Sequence, residues 1–426
     1  MKTLNSTEFC KNIFFIEDGE KGVFYAPLLG KFFMIDFEDF VLAKEYIEKG
    51  KENELYDYLF ENGFFERAEL PKTMEGRKHS PTEVYLSLTS GCNFACTYCY
   101  ARAGETNEVL SWDKIVQSID QVYRNARNNQ EKEIEVTFHG TGEATVRWET
   151  LVDAVKYTLQ KLPQGWHVYF SLVTNSALLD DEKVKFLKDN DFDVTVSMDG
   201  LEKWQNLQRP YRDGRGTFKD VVSAIRLLVK YDVDFGIRST ITGLNQGEMI
   251  EFVRFCAELG CKKIYLVPVS IAGRGESGTL QVDAESFIKD YVYLLDVSEE
   301  WGIEVHTPSD DISRSSAGFC DADGSIFAVL PDGSISSCTR VTREEDPLSD
   351  MFFIGEVKDE GITLFLKKIE KLRELNVYSF KECEGCFAKF VCSGGCHADR
   401  FSQGISEEAC MITKFVVWSN LLKALS

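Results

Sequence analysis

The chain lacks any apolar run long enough to cross a membrane, and it lacks an excess of basic residues. No window approaches the roughly 18 to 20 consecutive apolar residues of a membrane span, and the first residues have no apolar core or cleavage site typical of a secretory signal. Lys and Arg total 48 against 69 Asp and Glu, for a net charge of −21. Nucleic-acid binders usually present a basic face. We therefore expect a cytoplasmic protein without a membrane or nucleic-acid partner.

Cysteine is the residue type whose abundance is informative. The 426 residues are 44% apolar, which is enough for two or three domains with buried cores, and they include 13 cysteines. In a reducing compartment a disulfide framework is unfavourable, so metal binding becomes the leading explanation.

Three regions follow one another along the chain. Residues 1–75 predict a small α+β unit, with strands at 23–29 and 31–35 around Gly30 and helices at 38–48 and 53–61. A polar stretch at 71–81 predicts a linker. Residues 76–310 form the second region, and residues 311–426 form an irregular third region rich in Gly and Cys.

The middle region alternates between apolar strand patterns and helical patterns. Strands are predicted at 84–88, 134–138, 168–173, 194–198, 235–241 and 264–269, and helices at 112–126, 151–162, 181–189, 218–231 and 248–259. This order predicts an α/β fold with a parallel sheet. We expect a partial (β/α)6 TIM-like barrel, with its site at the C-terminal ends of the strands.

Three cysteines follow the first of these strands directly, in the segment CNFACTYC. Cys92, Cys96 and Cys99 can each bind one iron of a [4Fe–4S] cubane and leave the fourth iron open. The alternative is zinc, but a structural zinc site needs four ligands and no nearby His completes the set.

This CxxxCxxC loop resembles the hallmark of the radical S-adenosylmethionine (SAM) superfamily. The resemblance implies that the amine and carboxylate of SAM chelate the open iron. Electron transfer from the cluster then cleaves the sulfonium, and the 5′-deoxyadenosyl radical abstracts a substrate hydrogen.

Short motifs after the later strands resemble the cofactor loops of the same superfamily. Residues 139–145, HGTGEAT, are similar to its Gly-Gly-Glu-Pro loop but depart from it at Thr141 and Ala144. Residues 174–176, TNS, resemble its Thr-Asn-Gly, and residues 197–200, SMDG, resemble its Ser-x-Asp-Gly. His139 begins the first loop and is a candidate functional residue.

The resemblance implies a set of side chains and backbone groups that bind SAM. Arg238 suits its carboxylate because guanidinium binds carboxylates in two-pronged fashion, and Tyr98 is expected to contact adenine. Gly142 permits a close backbone approach. The full set is Tyr98, Thr141, Gly142, Glu143, Thr174, Asn175, Ser197 and Arg238.

The third region contains seven cysteines at intervals that resemble the SPASM extension of the superfamily. By this analogy Cys320, Cys338 and Cys396 hold auxiliary cluster I, and the remaining cysteines, Cys383, Cys386, Cys392 and Cys410, hold auxiliary cluster II. The chain would then carry three [4Fe–4S] clusters. Two zinc sites are the alternative. The turn sequence at 331–333 predicts a hairpin that brings Cys320 and Cys338 together.

Cluster I receives only three cysteines in this assignment, so its fourth ligand is open. The free iron could bind a substrate thiolate, or Asp321, Asp323 or His306 could close the site. Other cysteines and histidines are expected to be structural. Cys256 and Cys261 are expected to be buried apolar residues, Cys10 is left over, and the structural histidines are His79, His167 and His397.

The first region resembles the winged-helix-like recognition element fused to many maturases of ribosomally made peptides. That element binds a leader peptide as an added strand; the alternative is a cap that only packs on the barrel. The function implied is a maturase that forms a thioether in a precursor peptide, supplied with electrons by a donor such as flavodoxin or ferredoxin. Alternatives are a carbon–carbon cross-link, formylglycine formation by an anaerobic sulfatase maturase, and a non-catalytic iron–sulfur or zinc scaffold. The substrate, the general base and the oligomeric state do not follow from the sequence.

Overall fold

The computed structural model describes residues 13–18, 21–36, 38–39, 41, 54–64, 69–73, 79–276 and 280–425. These residues form a three-stranded antiparallel sheet and an 11-stranded mixed sheet. The mixed sheet confirms the α/β prediction. None of the helices in these ranges is long and apolar enough to span a bilayer.

The small sheet contains β1 (Phe14–Asp18), β2 (Lys21–Ala26) and β3 (Lys31–Asp36), and helix α1 (Glu54–Glu61) packs beside it. The strands around Gly30 agree with the prediction, while β1 was not predicted. Gly30 has φ 60°, a left-handed conformation that ends the short 3-10 turn before β3. The predicted helix at 38–48 lies mostly outside the described residues, as does Cys10, so the winged-helix assignment stays a prediction.

Seven parallel strands form the barrel-like part of the large sheet, one more than predicted. They are β4 (Glu83–Leu86), β5 (Glu133–Phe138), β6 (His167–Thr174), β7 (Phe192–Ser197), β8 (Phe235–Ile241), β9 (Lys263–Pro268) and β10 (Glu304–His306). Each strand pairs with the next in chain order. The barrel is open, because β10 ends the sheet on one side.

Helices cover the outer face of these strands. They are α2 (Trp112–Asn129), α3 (Trp148–Lys161), α4 (Asp181–Asp189), α5 (Glu202–Gln208), α6 (Phe218–Lys230), α7 (Met249–Glu258) and α8 (Ala284–Val297). Alternate strand residues such as Val84, Val194 and Val196 are fully buried under them. The residues between these face inward and include polar and aromatic side chains, for example Tyr85 and Ser197. The inner face is therefore the surface on which a site can form.

The Cys-rich region continues the same sheet. Strand β11 (Ala328–Val329) pairs in parallel with β4 and leads through β12 (Ser334–Ser336) and β13 (Phe353–Lys358) to β14 (Gly361–Leu364). The predicted hairpin at 331–333 is present between β11 and β12. The sheet thus runs across residue 310, and the domain boundaries stay predictions. The helices of this region are α9 (Ser349–Phe352), α10 (Leu366–Arg373), α11 (Lys389–Cys392), α12 (His397–Gln403) and α13 (Glu407–Leu425).

The small sheet packs against the Cys-rich region through one face. Val23 and Tyr25 of β2 contact the buried apolar residues of α13 and of the segment around α11, namely Ala388, Val391, Val417 and Leu421. The opposite face, with Phe24, packs on Leu59 and Phe64. Burial of the Val23 and Tyr25 face therefore fixes the N-terminal unit beside the second cysteine array, while burial of the Phe24 face holds α1 on the sheet.

Candidate functional site

The three cysteines of the first motif lie together in the loop after β4. Cys96 is 8% exposed, and Cys92 and Cys99 are half-buried. Burial, the Glu143 carboxylate and the neighbouring thiols raise the pKa of Cys92 to about 12, and burial raises the pKa of Cys96 to about 11. A thiol whose pKa is raised in the metal-free protein is still deprotonated when it binds a metal. The donor set therefore fits an iron–sulfur cluster held by three cysteines.

Backbone and amide groups point at the sulfur atoms of this loop. The amide of Phe94 lies 3.4 Å from Cys92 Sγ, and that of Ala103 lies 3.4 Å from Cys99 Sγ. The side-chain amide of Asn175 lies 3.9 Å from Cys92 Sγ. Hydrogen bonds to sulfur are one of the means by which a protein tunes an iron–sulfur cluster.

A turn after β9 clamps the same loop. Arg274 Nε donates to the carbonyl of Cys96 at 2.8 Å, and its backbone amide donates to the carbonyl of Cys99 at 3.1 Å. Gly273 has φ 56°, and a Cβ there would lie 2.2 Å from the Tyr100 carbonyl. Only glycine fits this approach. Sequence reasoning missed Gly273 and Arg274, because no motif marks either residue.

The loop after β5 packs on the cluster loop by direct backbone contact. A Cβ on Gly142 would lie 2.3 Å from the Gly91 carbonyl oxygen, and the Glu143 amide donates to that oxygen at 3.0 Å. The Thr141 hydroxyl is bonded to Ser87 Oγ at 2.6 Å and to the Thr89 carbonyl at 3.0 Å. The Thr141 side chain is therefore engaged within the protein.

Glu143 joins this loop to the end of β6. Its buried carboxylate accepts hydrogen bonds from Thr145 Oγ1 at 2.6 Å, Thr174 Oγ1 at 2.7 Å and the Asn175 amide at 2.8 Å. Among the described residues no Lys or Arg forms an ion pair with it. Ser176, which follows, has φ 61°, a conformation that explains why a glycine suits this position in the resembling motif. Whether Thr141, Glu143, Thr174 and Asn175 also contact SAM stays a prediction.

Tyr98 belongs to a buried charged network. Its hydroxyl is hydrogen-bonded to Asp199 and to Arg209, whose Nη1 lies 3.9 Å from Asp199 Oδ2. Burial raises the pKa of Asp199, although Arg209 opposes the shift. Arg209 follows α5 and was missed, because no motif marks it. The predicted contact between Tyr98 and adenine stays a prediction.

Arg238 is an exposed cation on the inner face of β8. It lies opposite Ser197 of β7 in the parallel register, and it forms no ion pair within the described ranges. Burial and the charge of Arg238 lower the pKa of His139 to about 4. The Tyr100 hydroxyl lies 3.4 Å from His139 Nε2. This end of the strands therefore presents a neutral imidazole and an exposed guanidinium, which can bind a carboxylate.

The cysteines assigned to auxiliary cluster I lie near one another. Burial, with a contribution from Cys338, raises the pKa of Cys320 to about 11 and that of Cys396 to about 12. Of the proposed fourth ligands, Asp321 and Asp323 are close enough to raise the pKa of Cys320 as well. His306 instead bonds Asp310 at 2.9 Å.

The four cysteines assigned to auxiliary cluster II are also gathered. Burial raises the pKa of Cys392 to about 11, and the nearby thiols of Cys386, Cys410 and Cys383 add to that shift. The thiols that act on Cys392 are thus those of the predicted four-cysteine set, and the thiol that acts on both Cys320 and Cys396 is that of Cys338. Which metal group each set holds stays a prediction.

The remaining cysteines and histidines have structural environments in the described part of the chain. Cys256 and Cys261 are buried in the core. His167 stacks edge-on against Tyr169 at 4.3 Å. Burial lowers the pKa of His79 and of His397 to about 4.

The Radical SAM superfamily model matches residues 86–256, which contain the first cysteine motif and all eight predicted SAM contacts. Residues 86–256 are a radical SAM domain. The match also contains β5 to β8 and the loops that meet at their C-terminal ends.

Curated relatives of the chain include maturation enzymes. A serine-type anaerobic sulfatase-maturating enzyme of Klebsiella aerogenes is 22% identical over 349 residues, which cover 78% of this chain and 83% of the relative. A cysteine-type anaerobic sulfatase-maturating enzyme of Clostridium perfringens (strain ATCC 13124) is 28% identical, and the match covers 74% of this chain and 88% of the relative. The sporulation killing factor maturation protein SkfB of Bacillus subtilis is 24% identical, and the match covers 61% of this chain and 60% of the relative.

Two solved structures share the fold of this chain. Native anSMEcpe with bound AdoMet matches with TM-score 0.65 and 22% identity, over 80% of this chain and 97% of that chain. Streptococcus suis SuiB bound to precursor peptide SuiA matches with TM-score 0.53 and 16% identity, over 92% and 96%. Together with the sequence relatives, these matches do not confirm thioether formation, and the sulfatase-maturase alternative fits them better.

Proposed function

We propose that this protein is a radical SAM maturase that oxidises a cysteine or serine side chain of a peptide or protein substrate to formylglycine. The observation that supports the proposal is that Cys92, Cys96 and Cys99 share the loop after β4 within the match to the radical SAM model, which also contains the exposed Arg238 on the inner face of β8. Similarity to both serine-type and cysteine-type sulfatase maturases over about three quarters of the chain supports the substrate class.

The residues present fit the cofactors. Cys92, Cys96 and Cys99 would hold a [4Fe–4S] cluster, and Arg238 would bind the carboxylate of SAM. When bound, these groups would supply the radical that removes a hydrogen atom from the substrate. The protein positions them: Gly142 lets the two loops touch, and the amides near Cys92 and Cys99 favour thiolate over thiol.

The second array would hold two further clusters. The set of four cysteines can saturate one cubane, whereas Cys320, Cys338 and Cys396 leave one metal corner without a thiolate. Asp321 and Asp323 lie near that set and are the candidates to fill it. A substrate thiolate is the other candidate.

Cross-linking of a ribosomally made precursor peptide is the second candidate function. The observation in its favour is the small sheet, whose outer strands β1 and β3 each pair only with β2 within the described residues. A peptide could add as a further strand at either edge. The match to SuiB over 92% of the chain, against 80% for anSMEcpe, is consistent with this candidate.

One experiment separates these functions. The protein is reconstituted anaerobically with iron and sulfide, reduced, and given SAM with a peptide that carries the target Cys or with its Ser counterpart. We expect 5′-deoxyadenosine, and mass spectrometry should find that the Cys product has lost its sulfur, whereas a thioether retains it. A variant with Cys92, Cys96 and Cys99 all changed to Ala is the control. A wild-type protein that forms no 5′-deoxyadenosine would contradict both candidates.

A further inference from the structure

Arg400 of α12 places a buried positive charge beside the four-cysteine set. Its Nη2 lies 3.9 Å from Cys383 Sγ, and its guanidinium carbon lies 3.8 Å from the centre of the Phe380 ring. Only 11% of the side chain is exposed. Its carboxylate partner, Glu382, is 42% exposed, so solvent screens that anion far more than it screens Arg400.

The backbone holds this guanidinium in place. Arg400 donates to the Gly394 carbonyl, from Nη2 at 2.6 Å and from Nε at 3.2 Å. Ser393, Gly394 and Gly395 all have left-handed conformations, with φ of 52°, 87° and 75°. A Cβ on Gly394 would lie 2.6 Å from Phe380 Cδ2, so this position requires glycine.

This left-handed turn also connects the two auxiliary cysteine sets. It begins after Cys392, which belongs to the set of four, and ends before Cys396, which belongs to the set of three. The guanidinium is therefore hydrogen-bonded to the segment that links the two sets. Lys389, a half-buried cation near the same thiols, is held differently: its Nζ donates to the Glu384 carbonyl at 3.3 Å and lies 4.8 Å from the centre of the Phe390 ring.

We propose that Arg400 raises the reduction potential of the iron–sulfur cluster that Cys383, Cys386, Cys392 and Cys410 would hold. The proposal rests on the proposed function, which requires that cluster. Reduction adds one negative charge to a cluster, and a fixed cation beside a ligating sulfur stabilises the reduced form. Net charge and hydrogen bonds to sulfur are among the factors that set these potentials. Arg400 acts through the ligand Cys383 and is a positioning residue.

The test is a redox titration of the full-length, anaerobically reconstituted protein, followed by electron paramagnetic resonance. We expect Arg400→Gln to lower the ratio of reduced to oxidised cluster about tenfold at a fixed potential, which is a shift of about 59 mV for a one-electron couple. Arg400→Lys keeps the positive charge and should therefore have a reduction potential close to that of the wild type. Glu382→Gln, which removes the partner anion, should shift the same signal in the opposite direction.

Arg314→Gln is the matched control, because Arg314 lies in the same region and donates to the carbonyls of Gly318 and Phe319. It should leave the titration unchanged. Full iron content with a wild-type titration in Arg400→Gln would overturn the proposal. Equal loss of iron in Arg400→Gln and Arg400→Lys would also overturn it, since Arg400 would then be needed only to stabilise the fold around the cysteines. Iron for fewer than three clusters in the wild-type protein would instead overturn the cluster assignment within the proposed function.

Discussion

The carboxylate of Glu143 accepts a hydrogen bond from the backbone amide of Asn175 at 2.8 Å and thereby joins the ends of β5 and β6. The other carboxylate oxygen accepts from the hydroxyls of Thr145 and Thr174. The two loops that follow β5 and β6 thus depend on one buried acceptor group.

Glu143→Gln should therefore destabilise the fold. The amide replaces one acceptor oxygen with a donor that faces another donor, and such a mismatch of a buried group costs about 1–3 kcal/mol. The free energy of unfolding in urea measures the change. Glu131→Gln, at an exposed position, is the control and should have little effect. Equal midpoints for Glu143→Gln and wild type would disprove the role assigned to this carboxylate.

Gly142→Ala should impair loading of the first cluster. The new methyl group would lie 2.3 Å from the Gly91 carbonyl and 2.4 Å from that of Thr89, so the cysteine loop must move. We expect loss of the iron of one cluster and about 1–3 kcal/mol of stability. Gly247→Ala is a suitable control, since no atom lies within 4 Å of the position that its new methyl group would occupy. Iron analysis after anaerobic reconstitution is the measurement, and full iron in Gly142→Ala would contradict the prediction.

Arg238→Gln should weaken SAM binding without unfolding the protein. It removes a charge-assisted hydrogen bond to the cofactor carboxylate, worth about 1.5–3 kcal/mol, which corresponds to a roughly ten- to hundredfold rise in Kd. Isothermal titration calorimetry of the reconstituted protein measures the affinity. Arg226→Gln, on the exposed side of α6, should bind SAM as the wild type does. An unchanged Kd in Arg238→Gln would exclude Arg238 from the SAM site.

Glu83 should make stability depend on pH. Burial, and then the charge of Glu135, raises the pKa of Glu83 from 4.5 to about 7. The folded state therefore holds a proton that the unfolded state has lost, and stability should fall as pH rises from 4.5 to about 7. Glu83→Gln should remove this slope and be more stable than the wild type at about pH 8, as measured by urea unfolding at several pH values. Glu133→Gln, at an exposed position, is the control and should keep the pH dependence of the wild type. A wild-type slope in Glu83→Gln would refute the assignment.

Sequence patterns predicted the parallel strands well because their outward residues form apolar runs that the helices bury. They missed short elements whose existence depends on pairing partners, such as β10 with three residues and β1 at the edge of the small sheet. Spacing grouped Cys92, Cys96 and Cys99, since three or two intervening residues keep ligands within one loop, whereas the two auxiliary sets were assigned by the family resemblance. It could not predict Arg209 or Arg400, because each acquires its role from residues that only the fold brings near.

Val23 and Tyr25 rest on the segment between Cys386 and Cys392, so the N-terminal sheet and the four-thiol set share one apolar surface. Thermodynamic linkage then works in both directions. A ligand that ordered the sheet would lower the free-energy cost of assembling the thiols, and a metal group that ordered the thiols would raise the affinity of the sheet for its ligand by the same factor. Peptide binding and metal loading would in that way be coupled through the packing of Val23 and Tyr25.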